Sequence, residues 1–330
     1  MTLKVSRFKR YRYSRLWLTE HFFKSRKTLT EKRKALSENI ADEIPSGNHF
    51  IPVEEIEDLS IKEFIKKYRN TSTPVVLKKA ATSWGFFQKW NPEYFAKKYP
   101  EDPILIFEAA IEDRMATKEK SYETTSLKSF VDKMNNGGKD YIRFLPMLDS
   151  HPELLEDLNT KWLDAVANKN AKSKKFQFFM GGKNTSTSMH GAIGSNLFIQ
   201  IYGRKQWWIY SNKNTPLIQP ILERSVFFRS EVDACEPTGP FEKGEGWTTV
   251  LEPGDILYNP PFYWHQAKNL GTNIGVGFRW FSLLPILKVS PTQFLLTVTA
   301  SNPSIKDAKR LDGNFAKVYS EMLKVKKKKD

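Results

Sequence analysis

The chain has 330 residues, 40% of them hydrophobic and 13% aromatic, which suits one large domain or two small ones with a substantial core. Its single cysteine, Cys235, excludes an intramolecular disulfide and a cysteine-built zinc site, and favours a reducing, cytoplasmic setting. The net charge of +15 gathers at the two ends, in Lys4, Arg7, Lys9, Arg10, Arg12 and Arg15 and in Lys324 and Lys326 to Lys329. Such runs read first as solvated tails and second as weak contacts with an anionic partner, a nucleic acid or a membrane surface. No apolar run is long enough to span a bilayer, and no signal-type apolar segment follows the basic start.

Residues 1–48 read as a basic helical leader, since Thr28 to Ala41 has helix-forming composition without Gly or Pro. Phe8, Tyr11, Trp17, Leu18, Phe22 and Phe23 interleave with its basic residues, and either pack on the domain or dip into an interface. A domain over 49–284 follows. Ser60 to Tyr68 is an amphipathic helix, with Ser60 as N-cap and Glu63 completing a capping box. Val75 to Leu77 is a strand; Trp84, Phe86, Phe87 and Trp90 are core under a loop; Asn91 to Tyr99 is a helix with Pro92 in its first turn. Ile104 to Phe107 is a buried strand, 112–121 a charged loop, and Leu127 to Met134 a helix stopped by Asn-Asn-Gly-Gly138. Tyr141 to Phe144 is a strand, Pro152 to Ala165 a polar helical stretch, and Asn168 to Lys175 a basic loop.

From Phe176 the pattern turns to strands: Phe176 to Met180, Asn196 to Tyr202, Gln206 to Tyr210, Thr248 to Leu251, Ile256 to Tyr258 and Ile274 to Phe281. Residues 213–247 read as an inserted loop. Short strands with Gly/Pro turns indicate a mainly β, closed or double-sheet architecture. Residues 285–330 hold a helix near Ile305 to Leu323 and the basic tail.

Two stretches carry the chemistry. Thr187-Ser-Met-His190-Gly-Ala192 and Pro253-Gly-Asp to Trp264-His265 each place one histidine in an aromatic, strand-rich setting. Neutral imidazoles suit divalent iron, whose usual non-haem site adds a carboxylate. On a strand that carboxylate lies two residues past the first histidine, where the side chain faces the same way. Here the position is Ala192. His21, His49 and His151 sit in the leader, at the domain edge and before a proline, and are not read as ligands.

The span from about Phe50 to Leu284 resembles the cupin-like JmjC family of iron(II)- and 2-oxoglutarate-dependent oxygenases, most closely the small protein hydroxylases. The matching pieces run in family order: Pro74-Val-Val-Leu-Lys with Trp84 and Trp90, Tyr141-Ile-Arg-Phe with Leu148 to Leu155, Phe179 to Lys205, and Pro253 to His265 with Gly277-Phe-Arg-Trp280. The resemblance implies a jelly-roll double-stranded β-helix whose mouth holds the metal, flanked by N- and C-terminal helices. It implies His190 and His265 as iron ligands. It also implies a 2-oxoglutarate pocket in which Lys205, fifteen residues after His190, pairs with the distal carboxylate, helped by Thr187, Asn196 and Tyr141.

Ala192 departs from the family pattern and leaves three readings open. Water or another carboxylate completes the metal in a hydroxylase; chloride completes it in a halogenase; or metal chemistry is lost and the barrel is a binding module. The substrate, a protein side chain or a small molecule, and the oligomeric state are not legible.

Overall fold

In the computed structural model the described residues are 5–23, 27–45, 49–106, 123–167 and 171–301. The expected 112–121 loop, the 305–323 helix and the C-terminal basic run lie outside them. The strands are β1 (His49–Pro52), β2 (Glu54–Ile56), β3 (Val75–Leu77), β4 (Pro103–Ile106), β5 (Glu123–Ser126), β6 (Tyr141–Leu145), β7 (Lys172–Gly181) and β8 (His190–Gly191). They continue as β9 (Ser195–Tyr202), β10 (Lys205–Tyr210), β11 (Phe228–Arg229), β12 (Glu245–Leu251), β13 (Ile256–Asn259), β14 (Trp264–Asn269) and β15 (Asn273–Phe281). The helices are α1 (Arg7–Phe22), α2 (Lys27–Asp42), α3 (Ile61–Phe64), α4 (Pro92–Lys98), α5 (Leu127–Asn135), α6 (Met147–Ser150), α7 (Thr160–Val166), α8 (Thr215–Ile218), α9 (Leu283–Val289) and α10 (Pro291–Val298).

One sheet runs β1-β12-β10-β14-β8-β11, the other β2-β3-β13-β9-β15-β7-β6, and β4-β5 form a separate ribbon. The period-2 pattern of the strands sorts side chains into three layers. Leu197, Ile199 and Ile201 of β9 and Ile256 and Tyr258 of β13 face out to the largest core, shared with Phe64, Phe95 and Phe130 of the helical layer. Phe198 of β9, Leu257 of β13, and Trp207 and Ile209 of β10 face inward between the sheets. Tyr210 and Trp264 face out on the other side, against Trp17, Ile286 and Leu296. This is the mainly β, double-sheet architecture that the strand pattern predicts, and the jelly roll with flanking helices that the resemblance implies.

Local chemistry sets the element ends. The Ser60 hydroxyl accepts from Glu63 N at 3.3 Å and donates to the Glu63 carboxylate at 2.8 Å. Asn91 caps the helix begun by Pro92, accepting from Tyr94 N at 2.8 Å. Between β9 and β10 the chain turns at Gly203 with φ +69°, where a Cβ would overlap the Thr272 carbonyl oxygen.

Several expectations change in detail. Pro152 to Ala165 is not one helix: Pro152–Asp157 forms a 3-10 turn before α7. Residues 172–175 join β7 through pairing with β15, so the basic run there is strand. The 213–247 segment contributes α8, β11 and the start of β12. β14 was not among the expected strands, because polar Gln266, Lys268 and Asn269 break its apolar pattern.

The leader, expected first as solvated tail, is a helical hairpin docked on the barrel. Tyr13 and Trp17 are buried, and Trp17 meets Phe228 of β11 edge-on at 5.5 Å. The fully buried Glu20 pairs with Arg33 at 2.7 Å, and Arg33 also donates to the Tyr13 hydroxyl at 2.7 Å. Ser37 donates to the Pro216 carbonyl at 2.6 Å. Phe8, Tyr11, Phe22 and Phe23 stay exposed. Trp17→Ala is expected to cost about 3–5 kcal/mol by urea denaturation, since it empties a packed site. Phe23→Ser should stay within about 0.5 kcal/mol of the parent in the same assay.

Candidate active site

β8 and β14 are antiparallel neighbours, with His190 directly opposite His265. That register brings the two rings to 4.1 Å between centroids. His190 Nδ1 lies 2.8 Å from the Ser188 carbonyl oxygen, and His265 Nδ1 lies 3.0 Å from that of Tyr263. A carbonyl oxygen only accepts, so both Nδ1 atoms carry the proton and both Nε2 atoms carry a lone pair. The Asn259 amide sits 3.1 Å from His265 Nδ1, with its oxygen unpartnered; turned end for end, that oxygen accepts from the same N–H. Trp207 stacks on His265 at 5.7 Å. Burial, with the positive charges of Arg279 and Arg143, pushes His190 down to about 4. His265 is lowered well below its ordinary value by burial, by His190 and by Arg279. Both imidazoles are therefore neutral.

Lys205 enters the same cavity from β10, where alternation turns Lys205, Trp207 and Ile209 inward together. Ile209 is opposite His265, so Lys205 lies four residues, roughly 13 Å of strand, from the histidine level. Its ammonium is fully buried, 2.6 Å from the Tyr141 hydroxyl, with the rings of Phe198, Tyr141 and Phe179 at 5.0, 5.1 and 5.8 Å. No carboxylate among the described residues pairs with it. Burial, then the neighbouring Arg143, pushes Lys205 down to about 7. Burial also raises the Tyr141 phenol, which stays neutral.

The cavity is lined by Tyr141, Phe144, Phe179, Thr187, His190, Asn196, Phe198, Lys205, Trp207, His265, Ala267 and Arg279. The two histidines and the four residues expected to hold the co-substrate thus come together. Thr187 Oγ1 accepts from Ala267 N at 3.1 Å, leaving its hydroxyl proton to donate. The buried Asn196 amide oxygen has no partner. Ala192 is not in the lining: it follows the end of β8, and its carbonyl accepts from Phe262 N at 2.7 Å. The remaining histidines stand elsewhere. His21 bonds Thr299, His151 lies 2.5 Å from Asp102, and the side chain of His49 is outside the described residues.

Residues 61–284 match the model of the cupin-like domain. The chain belongs to the cupin-like domain family. Curated relatives of this cupin-like domain include lysine-specific demethylase 8 of Xenopus tropicalis, 23% identical over 67% of this chain and 51% of that protein. JmjC domain-containing protein A of Dictyostelium discoideum is 25% identical over 67% of this chain and 92% of that protein. Jumonji C domain-containing protein 5 of Drosophila melanogaster is 21% identical over 69% and 59%. The chain spans about half the length of the first of these. The match places this cupin-like domain with the JmjC proteins, whose class is the iron- and 2-oxoglutarate-dependent oxygenases.

The two groups of that class fit the cavity unequally. A buried ammonium with no carboxylate beside it among the described residues, and a spare hydroxyl proton, suit a dicarboxylate such as 2-oxoglutarate. Iron(II) does not fit as a resident ion on the donors of the described residues alone. No three His, Cys, Asp or Glu side chains among the described residues form a metal-holding group. Three carboxylates of the described barrel have partners of their own: Asp255 with Lys78 at 2.6 Å, Asp233 with Gln266 at 2.8 Å, and Glu223 with Arg229.

Sequence reading missed Arg279 as a lining residue. The signal is the alternation Gly275, Gly277, Arg279 on β15. A Cβ at Gly275 would overlap the Phe198 ring and one at Gly277 would reach Asn196 Oδ1 at 3.1 Å, so this face is the one turned into the cavity. Tyr141→Phe should lower the stability of the ligand-free protein by about 1.5–3 kcal/mol at pH 6, where Lys205 is charged and loses its acceptor. At pH 9 the amine is neutral and the loss should shrink to about 1 kcal/mol, as read by urea denaturation at the two pH values.

Proposed function

We propose that the protein binds 2-oxoglutarate, or a dicarboxylate of the same shape, between the two sheets with Lys205 as the anchor. The observation that carries this is the fully buried Lys205 ammonium, which has the Tyr141 phenol and the rings of Phe179 and Phe198 around it and no carboxylate among the described residues. A charge so placed is costly unless an anion meets it. Tyr141, Thr187 and Asn196 line the same cavity and carry two hydroxyls and an amide.

A second reading, oxidation of a substrate C–H bond, is favoured by the tautomer of the histidines. Both present Nε2 lone pairs, the form in which imidazole binds metal. On this reading iron(II) at His190 and His265 takes its third ligand from outside the chain. Water or a carboxylate there supports a hydroxylase, and chloride supports a halogenase. Ala192→Asp separates the two: it should strengthen iron binding in either case and abolish a response to chloride only in the second.

Lys205→Ala should weaken 2-oxoglutarate binding at least about tenfold in calorimetry, because a charge-assisted hydrogen bond contributes roughly 1.5–3 kcal/mol. Unchanged binding would remove Lys205 as the anchor. The pH dependence has a definite sign. Lys205 stands near pH 7 in the free protein, and a bound carboxylate raises it. Binding at pH 8 should therefore take up as much as about one proton, seen as a dependence of the heat on the buffer's ionisation enthalpy, and affinity should fall as pH rises above 7.

A further inference from the structure

The outer face of α1 stands clear of the barrel. The exposed residues of the helix are Arg7, Phe8, Tyr11, Arg12, Arg15 and Phe22, with Phe23 as its C-cap. Spacings of three, four and seven put them on one side, opposite the buried Tyr13, Trp17 and Glu20. Phe8 is 67% exposed, Tyr11 and Phe23 are 65%, and Phe22 is 48%. Glu20 is the only acidic residue of α1, so the exposed residues of the helix are all aromatic or cationic. On the neighbouring α2 the exposed charges offset one another, Lys27, Lys32 and Lys34 against Glu31, Glu38 and Asp42.

Exposed apolar side chains gather in the same region. Of the ten large ones among the described residues, eight stand on α1 and its C-cap, on α9 and on α10. Leu295 and Val298 share one face of α10 through their spacing of three. The Thr299 hydroxyl lies 3.0 Å from His21 Nε2, so the Phe22–Phe23 end of α1 adjoins the end of α10 that carries them. Guanidinium groups, aromatic rings and aliphatic side chains together match the boundary of an anionic bilayer, which offers phosphates to the first and acyl carbons to the rest. A nucleic acid would pair with the arginines and stack on the rings, but would give Leu295 and Val298 nothing to bury against.

We propose that the outer face of α1, with the adjoining end of α10, docks the protein on a membrane surface rich in anionic phospholipid. No helix among the described residues is long and apolar enough to cross a membrane, so the contact is one of lying on the surface. In the free protein this face stands in water, and docking moves its rings to the level of the headgroups. The inner face of α1 is packed on the barrel through Trp17 and Phe228, so docking holds the barrel, and not a loose tail, against the lipid.

The test is flotation of the full chain with vesicles of phosphatidylcholine alone and with about 30% phosphatidylserine added. The parent should float with the second and stay behind with the first. The double variant Arg12→Gln, Arg15→Gln should bind about tenfold or more weakly, since each basic residue near an anionic surface contributes about fivefold. Lys62→Gln with Lys66→Gln removes the same charge from exposed positions elsewhere and should stay within about twofold of the parent. Phe22→Ser with Phe23→Ser keeps the charge and should also lose about tenfold or more, because its apolar burial is gone. Thermal melts matching the parent show that these surface variants fold. Parent-like binding by the phenylalanine variant would reduce the contact to net charge and overturn the proposal, as would equal flotation with both vesicles. Flotation with neither overturns it as well. In that case single-stranded RNA binding lost in the arginine variant would assign the face to nucleic acid, and a concentration-dependent dimer lost in the phenylalanine variant would assign it to a second copy of the chain.

Discussion

A buried ammonium is the constraint around which the barrel is arranged. Lys205 lies on a strand whose alternation forces it inward, and its neighbours hold it where water does not reach. The three aromatic faces and the phenol soften the cost of the charge without neutralising it. That compromise needs distant parts of the chain in one place. Tyr141 arrives on β6, Phe179 on β7 and Phe198 on β9, three strands of the opposite sheet. Gly275 has no side chain because Phe198 occupies its space. Burial moves Lys205 to near 7, so the cavity holds an amine close to balance between charged and neutral.

The two ends of the cavity embody different chemistry. At the lysine end the described polar groups are the Lys205 ammonium and the Tyr141 phenol, both of which can donate. At the histidine end the two Nε2 lone pairs ask for an electrophile. A carboxylate at position 192 would supply charge for a metal there. The chain instead has a methyl group at a residue whose carbonyl is occupied by Phe262, with Arg279 in the lining. Imidazole orientation is thus retained without a carboxylate at position 192.

Much of this was legible from residues alone, and for identifiable reasons. The central strands β9, β10, β13 and β15 were readable because they carry strong apolar patterns. The histidines and Lys205 were readable through spacing within a resemblance, and the sheet registers explain that spacing. Four residues of β10 separate Lys205 from the partner of His265, and His265 is itself the partner of His190. Arg279 was not read as a lining residue because it stands among Phe278, Trp280 and Phe281; the two glycines on its face mark the close approach. β14 was hidden because its outward and inward positions both carry polar residues, which bond within the barrel: Gln266 to Asp233, Asn269 to Thr185. The docking of the leader was hidden for the opposite reason. Its aromatic residues are spread around the helix, and only partner surfaces decide which are buried.

That docking bears on the site through one short path. β8 is a two-residue strand, too brief to be rigid by its own ladder, held between β14 and β11. Phe228 of β11 pairs with Gly191, and its ring carries Trp17 of α1. Just beyond, Ser230 N donates to the Met189 carbonyl at 3.0 Å, and Gln293 of α10 lies beside Gly191. Helices from both ends of the described chain therefore back the strand that bears His190. The aromatic contact of Trp17 with Phe228 offsets the shortness of the strand. The leader belongs to the architecture of the histidine end as much as to the charge pattern of the surface: its inner face fixes β8, and its outer face keeps the arginines and exposed aromatic rings in water.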